Sequence, residues 1–262
     1  MTALRPELDG SEGGVAPYKG SGSILASETD RAETVTALPT PRYALILFGS
    51  PGSGKGTQSK FLVEWLGIPQ ISTGDMLRDQ MRRGTEFGKS IGNLMRSGQL
   101  VPDELVNGLV AERIAQADCE RGFILDGYPR TRQQAEVVLH LLHSIGVEEV
   151  VIHLIVGYTL IISRMQGRRV CPKCGTLYNA ASRPPKVEGI CDVEGEVLAI
   201  REDDREDVVR ARLNEYERLT HPLLQFFGAE SKRMFNVDAS HERPEVVFGK
   251  IQALLQDLRA NS

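Results

Sequence analysis

Residues 49–58, with the sequence GSPGSGKGTQ, have the composition of a loop that binds phosphate groups. Glycines allow the backbone to approach an anion closely, and the N–H groups of such a loop donate to phosphate oxygens. Lys55 can reach a terminal phosphate as a positive charge. The common pattern has Ser or Thr directly after the lysine to hold Mg²⁺, but here Gly56 follows and the hydroxyl comes at Thr57. The loop predicts phosphoryl chemistry of a different kind; a Gly-rich structural turn is the alternative.

A carboxylate and several arginines could complete such a site. Asp126 ends the apolar run GFILD, at the carboxyl end of a predicted strand, where α/β sheets bind ligands and where it could organise Mg²⁺. Arginines follow loop signals or lie at the ends of predicted segments: Arg78, Arg130, Arg164, Arg168, Arg201 and Arg212. A site that transfers phosphate between two nucleotides must neutralise several negative charges, which suits arginine. Solvated surface charge is the alternative reading of these residues.

Three of the four cysteines predict a metal site. Cys171 and Cys174 are separated by two residues, and sixteen residues lie between Cys174 and Cys191. This is the spacing of paired zinc knuckles, and Glu194 occupies the position of a fourth ligand. With four protein ligands the zinc would be structural. A metal-free segment with exposed thiols is the alternative, and Cys119 is predicted to be a small buried hydrophobe.

The elements that must position these residues alternate between strand and helix from Tyr43 onward. Apolar runs predict strands at residues 44–48, 123–125, 150–156 and 234–237. Helical periodicity predicts helices at residues 55–66, 105–114, 135–146, 160–165, 209–216 and 247–258. The alternation is typical of a parallel sheet covered on both faces, an α/β fold. Residues 170–200, rich in Gly, Pro and Cys, predict an inserted subdomain.

Composition limits the classes of partner. The 262 residues carry a formal net charge of −4, which gives no general attraction to nucleic acid or to an anionic membrane. The apolar runs are shorter than a membrane span, and the cysteine content does not indicate a disulfide scaffold. Residues 1–41 are predicted to be a disordered extension, because they are rich in Gly and Ser and poor in apolar residues. Their acidic residues argue against a targeting peptide, and a misassigned start codon is the alternative.

Five motifs in order resemble the bacterial long-form adenylate kinases of the nucleoside monophosphate kinase family. They are GSPGSGKGTQ, ISTGDMLR (71–78), LDGYPRT (125–131), GRRV (167–170) and REDD (201–204). The resemblance covers residues 43–258 and explains Gly56, because the loop of this family ends in G-K-G-T. It implies a three-layer P-loop nucleoside triphosphate hydrolase-like fold in residues 42–262. It also implies an AMP-binding subdomain at 72–101 and a lid at 167–204.

The resemblance implies roles for individual residues. The donor phosphates would contact Lys55, the other loop residues Gly52, Ser53, Gly54, Gly56 and Thr57, and Arg164 and Arg168. Asp126 would hold Mg²⁺ largely through water, and Leu177, Tyr178 and His241 match positions near the ATP base. The AMP side would comprise Thr73, Arg78, Gln99, Leu100, Val101, Gly127, Tyr128, Pro129, Arg130 and Gln134. Arg201 and Arg212 would reach the transferring group.

The implied activity is reversible, Mg²⁺-dependent transfer of a phosphoryl group from ATP to AMP, giving two ADP. Thr73 favours AMP, because relatives that accept pyrimidines have Ala at this position. The alternatives are a kinase for CMP or UMP, an AMP kinase that uses GTP, and an inactive nucleotide-binding module. The implied setting is a cytoplasmic monomer that contains structural Zn²⁺ and acts on free nucleotides, without nucleic acid or membrane partners.

Overall fold

The computed structural model describes residues 42–180, 183–231 and 233–260, without the side chain of Glu202. The predicted disorder of residues 1–41 concerns positions outside this set. The strands are β1 (Arg42–Phe48), β2 (Gln70–Ser72), β3 (Phe123–Asp126), β4 (Val147–Ile155), β5 (Arg168–Val170), β6 (Leu177–Asn179) and β7 (Met234–Asp238). The helices are α1 (Lys55–Leu66), α2 (Thr73–Arg82), α3 (Glu86–Ser97), α4 (Asp103–Ile114), α5 (Arg132–Ser144), α6 (Tyr158–Gln166), α7 (Glu206–Glu215), α8 (Leu223–Glu230) and α9 (Pro244–Ala260).

Five parallel strands form the central sheet in the order β2-β3-β1-β4-β7. The strand β1 lies in the middle, with Leu47 opposite Asp126 of β3 and Ile152 of β4. Its residues are almost fully buried because both faces of the sheet are covered. The phosphate loop directly follows β1, so it lies at the carboxyl edge of the sheet, beside Asp126.

Helices cover the two faces of the sheet and give three layers. On one face, α1 and α9 pack on Leu45, Leu47 and Val150 through residues such as Leu62 and Ile251. On the other face, α2 to α5 and α8 pack on alternate residues of the same strands. Because successive side chains of a strand point to opposite faces, one apolar strand such as β1 serves both cores. The predicted three-layer α/β fold is confirmed.

Two smaller assemblies stand at the carboxyl edge of the sheet. The helices α6 and α7 pack through Ile161, Met165, Val209 and Leu213. Between them in sequence, β5 and β6 form an antiparallel pair, and Cys171, Tyr178 and Cys191 are buried together beside it. A π-helical turn, Tyr216–Thr220, continues α7. Within the described ranges, no helix combines the length and apolar character needed to cross a membrane.

Candidate active site

The phosphate loop has a backbone that only glycine accommodates at two points. Gly49 has φ +147°, and a Cβ there would lie 2.5 Å from Ser53 Oγ and 2.9 Å from the carbonyl oxygen of Leu154. Gly52 has φ +83°, with Met165 side-chain atoms 3.1 Å from a Cβ built there. The loop then enters α1 through Gly54, which adopts the left-handed conformation before Lys55. The N-terminal end of α1 and the adjacent loop N–H groups form an anion site.

Lys55 is held inside this loop by two of its carbonyl groups. Its Nζ donates to the carbonyl oxygens of Gly49 at 2.7 Å and Ser50 at 2.9 Å. Burial lowers the pKa of Lys55 to about 8; Asp126 opposes this shift and Arg130 adds to it. The ammonium group is therefore poorly solvated, which strengthens its attraction for an anion that replaces the carbonyl contacts.

Asp126 lies at the end of β3, opposite Ser72 of β2 in the parallel register. Its Oδ2 accepts a hydrogen bond from Gln70 Nε2 at 2.8 Å. Burial raises the pKa of Asp126, and Lys55 acts in the opposite direction. Gln70, which orients this carboxylate, is not predicted from the sequence, because nothing in the sequence shows that β2 pairs with β3.

Carboxylates hold four of the six arginines selected from the sequence. Arg168 forms a two-point ion pair with the buried Asp204. Arg212 donates to Asp203 Oδ2 at 2.9 Å. Within the REDD motif, only Arg201 is predicted from the sequence to have a role in the site. The structure shows that the two aspartates of the motif bind arginines of other elements.

Two further ion pairs join the REDD motif to residues that follow β2. Arg78 NH1 lies 3.7 Å from Asp203 Oδ2, and Arg201 NH2 lies 3.9 Å from Asp75 Oδ1. Arg78 also forms an ion pair with Asp75 at 2.6 Å. These contacts bring residues 72–101 and 167–204 together over the phosphate loop.

The arginines lie close enough to shift one another's pKa. Burial and then the neighbouring Arg78 lower the pKa of Arg201 to about 10. Burial also lowers the pKa of Arg212 to about 10, against the attraction of Asp203. Although burial raises the pKa of Asp203, Arg212 and Arg78 hold it below its ordinary value. The cluster thus concentrates positive charge where phosphate groups could neutralise it.

The side of the cleft around β3 has a polar network of its own. Thr73 Oγ1 donates to the carbonyl oxygen of Gly127 at 2.8 Å, and Arg130 Nε donates to the same oxygen at 2.7 Å. Gln134 Oε1 accepts from the backbone N–H of Arg130 at 2.8 Å. The Tyr128 hydroxyl donates to Asn107 Oδ1 at 2.7 Å, and burial raises the pKa of Tyr128.

Three thiols meet beside the β5–β6 pair. The sulfur atoms of Cys171, Cys174 and Cys191 lie within 4.8 Å of one another. The cysteines lie in two arms, residues 171–175 and 191–195, which have the same local fold. The N–H of Gly175 donates to the carbonyl of Cys171, and the N–H of Gly195 donates to the carbonyl of Cys191. Three sulfur donors at this separation fit Zn²⁺.

Glu194, the predicted fourth ligand, stands apart from the three thiols. Its Oε2 forms an ion pair with Lys173 Nζ at 2.5 Å, and it is not part of the group of potential metal ligands found among the described residues. Its place in the second arm matches that of Cys174 in the first, since each comes three residues after the first cysteine of its arm. Glu194 must therefore move closer to the three thiols to act as the fourth ligand.

Comparisons with known proteins agree on one family. The family model described as adenylate kinase matches residues 47–232. The chain is 46% identical over 204 residues to an adenylate kinase of Fervidobacterium nodosum, covering 78% of this chain and 93% of that protein. An adenylate kinase of Thermosipho melanesiensis is 43% identical over 204 residues, 95% of its length. This chain belongs to the adenylate kinase family.

Most residues that the adenylate kinase resemblance selects line one cleft with a volume of about 310 Å³. They are Gly52, Ser53, Gly54, Lys55, Gly56, Thr57, Arg78, Gln99, Leu100, Asp126, Gly127, Tyr128, Pro129, Arg130, Arg164, Arg168, Leu177, Tyr178, Arg201 and Arg212. The cleft lining also includes residues that the sequence analysis does not select, among them Gln58, Asp75, Asp203 and Arg183. The single cleft thus unites selected residues that are up to 160 positions apart in sequence, from Gly52 to Arg212.

Four selected residues lie outside this lining. Thr73, Val101 and Gln134 are buried behind it, and His241 is exposed. Near His241, backbone carbonyls point at the site instead: those of Ala239 and Ser240 accept from Arg164 NH2 at 2.7 and 3.2 Å. Tyr178 lines the cleft while its hydroxyl accepts from the backbone N–H of Asp192 at 2.8 Å, which ties the cleft wall to the thiol cluster.

Proposed function

We propose that this chain catalyses reversible transfer of the terminal phosphoryl group of MgATP to AMP, giving two ADP. The observation that carries the proposal is the convergence of the phosphate loop, Asp126 and the six arginines selected from the sequence on one cleft. An oxygen of the AMP phosphate attacks the terminal phosphorus of ATP, and the bond between that phosphorus and the oxygen of ADP breaks. No side chain has to act as a nucleophile, so catalysis consists of positioning and charge stabilisation.

On the donor side, Lys55 and the N–H groups of residues 52–57 bind the ATP phosphates, assisted by Arg164 and Arg168. The support is their common location: Lys55 and Arg168 line the same cleft as the loop. When phosphate enters, Lys55 exchanges its contacts with Gly49 and Ser50 for phosphate oxygens. Leu177 and Tyr178 form the wall for the ATP base, together with the backbone near Ala239.

Asp126 is the residue that would hold Mg²⁺, largely through water. Asp126 fits because its carboxylate is buried at the edge of the sheet, beside Lys55 and oriented by Gln70. Bound Mg²⁺ would neutralise charge on the ATP phosphates. The chain itself contributes the fixed carboxylate and the exclusion of water around it.

On the acceptor side, Arg78 and Arg130 bind the AMP phosphate, and Arg201 and Arg212 reach the group in transfer. In the structure the carboxylates of Asp75 and Asp203 accompany Arg78 and Arg212, and phosphate oxygens take their place in the complex. Gly127, Tyr128, Pro129, Gln99 and Leu100 form the pocket wall, with Thr73, Val101 and Gln134 behind it.

Residues 72–101 and 167–204 act as two covers that close over AMP and ATP. Their mutual contacts, Arg78 with Asp203 and Arg201 with Asp75, support closure over a shared site. Closure removes water, which would otherwise accept the phosphoryl group and hydrolyse ATP. Monomeric state and cytoplasmic location stay predictions from the sequence.

A coupled assay that crosses four acceptors (AMP, CMP, UMP and GMP) with two donors (ATP and GTP) tests the proposed function. The expected result is that ATP with AMP gives the highest kcat/KM, because Thr73 stands where the resemblance implies Ala in relatives that accept pyrimidines. Preference for CMP or UMP, or for GTP, would assign the chain to another monophosphate kinase. ATP binding without ADP formation at saturating AMP would indicate an inactive nucleotide-binding module.

We also propose that Cys171, Cys174, Cys191 and Glu194 bind a structural Zn²⁺ that stabilises the lid. The expected content is about one Zn per chain, and chelation lowers the melting temperature. Cys174→Ser is expected to lose the metal, whereas Cys119→Ser retains it because Cys119 lies apart, beside Arg113 and Asp118. A metal-free preparation whose melting temperature is unchanged by chelator would contradict the proposal.

A further inference from the structure

The amide of Gln134 is held at both ends by groups of opposite character. Gln134 lies in the first turn of α5 and is 2% exposed. Its Nε2 donates to Asp103 Oδ1 at 2.7 Å, and its Oε1 accepts from the backbone N–H of Arg130 at 2.8 Å. A carboxylate oxygen accepts only, and a backbone N–H donates only. The amide therefore has one favourable orientation.

Asp103 is itself fixed in position. It is the first residue of α4, and its second oxygen, Oδ2, accepts from the Thr131 hydroxyl. Thr131 Oγ1 in turn accepts from the backbone N–H of Gln134 at 3.2 Å, which caps α5. If the Gln134 amide turned by 180°, its oxygen would face the Asp103 carboxylate and its NH₂ group would face the Arg130 N–H. Both contacts would be repulsive in a buried site.

The amide keeps capacity for a ligand in this orientation. Among the described residues each end of the amide has one side-chain or backbone partner, which leaves one N–H and one lone pair of Oε1. A primary amide presents these two groups on one edge as a donor beside an acceptor. The base edge of adenine offers the complement: N1 accepts and the 6-amino group donates. A 6-oxo purine has the opposite polarity, because its N1–H donates and its O6 accepts.

We propose that Asp103 determines specificity for a 6-amino purine acceptor by fixing the orientation of the Gln134 amide. This inference rests on the proposed function and on the resemblance, which implies that Gln134 lies on the AMP side. In the structure its amide is buried behind the pocket wall, so AMP must displace part of that wall to reach it. Asp103 acts through Gln134 and is a positioning residue. The backbone N–H of Arg130 adds to the same selection and links the base contact to a residue that binds the acceptor phosphate.

Asp103 has a second possible role, which the experiment must separate from selection. An acidic residue in the first turn favours a helix through its dipole, and Asp103 and Glu104 are both in the first turn of α4. Glu104 is exposed, and its one described side-chain contact is with Gln133 at 3.4 Å. Glu104→Gln thus removes a first-turn charge from the same helix without changing the Gln134 amide, and it is the matched control.

The test compares kcat/KM for AMP with kcat/KM for IMP, at saturating MgATP, in the wild type, Asp103→Asn and Glu104→Gln. Asn has nearly the size of Asp, but its amide can present either a donor or an acceptor to Gln134. The AMP/IMP ratio of Asp103→Asn is expected to fall about tenfold, which corresponds to the loss of one hydrogen bond. The KM for ATP and the ratio of Glu104→Gln are expected to stay at the wild-type values.

Both acceptors are measured on one preparation, so the fraction of unfolded protein cancels in the ratio. If Asp103→Asn is not recovered folded, Asp103→Ser, which also suits a helix start, is measured in the same way. A wild-type AMP/IMP ratio in the variant, or an equal fall in Glu104→Gln, would overturn the inference. A wild-type enzyme that does not phosphorylate AMP would instead overturn the proposed function.

Discussion

The phosphate loop and the arginines face the same cleft but are held there in different ways. The loop is contiguous, and its lysine is bound by carbonyls of the same loop, at Gly49 and Ser50. The arginines come from separate elements. Four of them are bound by carboxylates, as Arg168 is by Asp204. Arg130 and Arg164 are bound by backbone carbonyls instead. The loop lysine is thus held by contacts within the loop. The arginine cluster exists only when the whole fold brings it together.

The largest expected effect concerns the loop. Lys55→Met removes the ammonium group that the structure places among the loop carbonyls, and no other lysine lines the described cleft. We expect kcat/KM for MgATP to fall about 1,000-fold, the upper range for loss of one charge-stabilising donor. Lys89→Met, which removes an exposed lysine of α3 that pairs with Glu86, is the control and should retain wild-type steady-state kinetics. A loss below tenfold for Lys55→Met would show that the loop does not depend on its lysine.

The next effect concerns the arginines and uses two residues of α7. Arg212 faces the cleft and binds Asp203, whereas Arg210 is exposed and pairs with Glu206 on the same helix. We expect Arg212→Ala to lower kcat about 100-fold, because the charge that meets the transferring phosphate is lost. Arg210→Ala should change kcat by less than about twofold, as is usual for an exposed ion pair. Equal losses in the two variants would mean that position in the cleft is not what matters.

The smallest effect is a pH dependence that separates lysine from arginine. The pKa of Lys55 is lowered to about 8, so the free enzyme loses this positive charge as pH rises through that value. We therefore expect kcat/KM for MgATP, which reports the free enzyme, to fall between pH 7 and 9. Lys55→Arg, although less active, should show a flat profile in this range because guanidinium stays charged. The same fall in Lys55→Arg would assign the titration to another group.

Several features of the fold are visible in the sequence and others are not. Apolar runs predict β1 and β3 to within about two residues, because a strand buried on both faces must be apolar throughout. The strand β4 begins at Val147 rather than at residue 150, since Glu148 and Glu149 interrupt the apolar run while their backbones continue the ladder with β1. The helices α2 and α3 are not predicted by the periodicity, although side-chain caps at Ser72 and Thr85 begin them.

The thiol cluster is also predicted from the sequence only in part. The spacing predicts that Cys171, Cys174 and Cys191 meet, and they do. The spacing also selects Glu194, yet its carboxylate lies with Lys173. The spacing of cysteines constrains the backbone around a metal, but a long, flexible glutamate side chain can pair with any positive charge within its reach. Only the tertiary structure shows that Lys173 lies within reach of Glu194.

The family resemblance selected about half of the residues that line the cleft. By itself, the sequence determined the phosphate loop, the strands that frame it and the thiol arms. These features depend on local backbone geometry and on apolar pattern, which neighbouring residues encode. The tertiary structure alone decided the partners: Gln70 for Asp126, Asp203 and Asp204 for the arginines, and Asp103 for Gln134. Such pairings join side chains of different elements, nine to 56 residues apart, so they follow from strand order and helix packing and not from any local pattern.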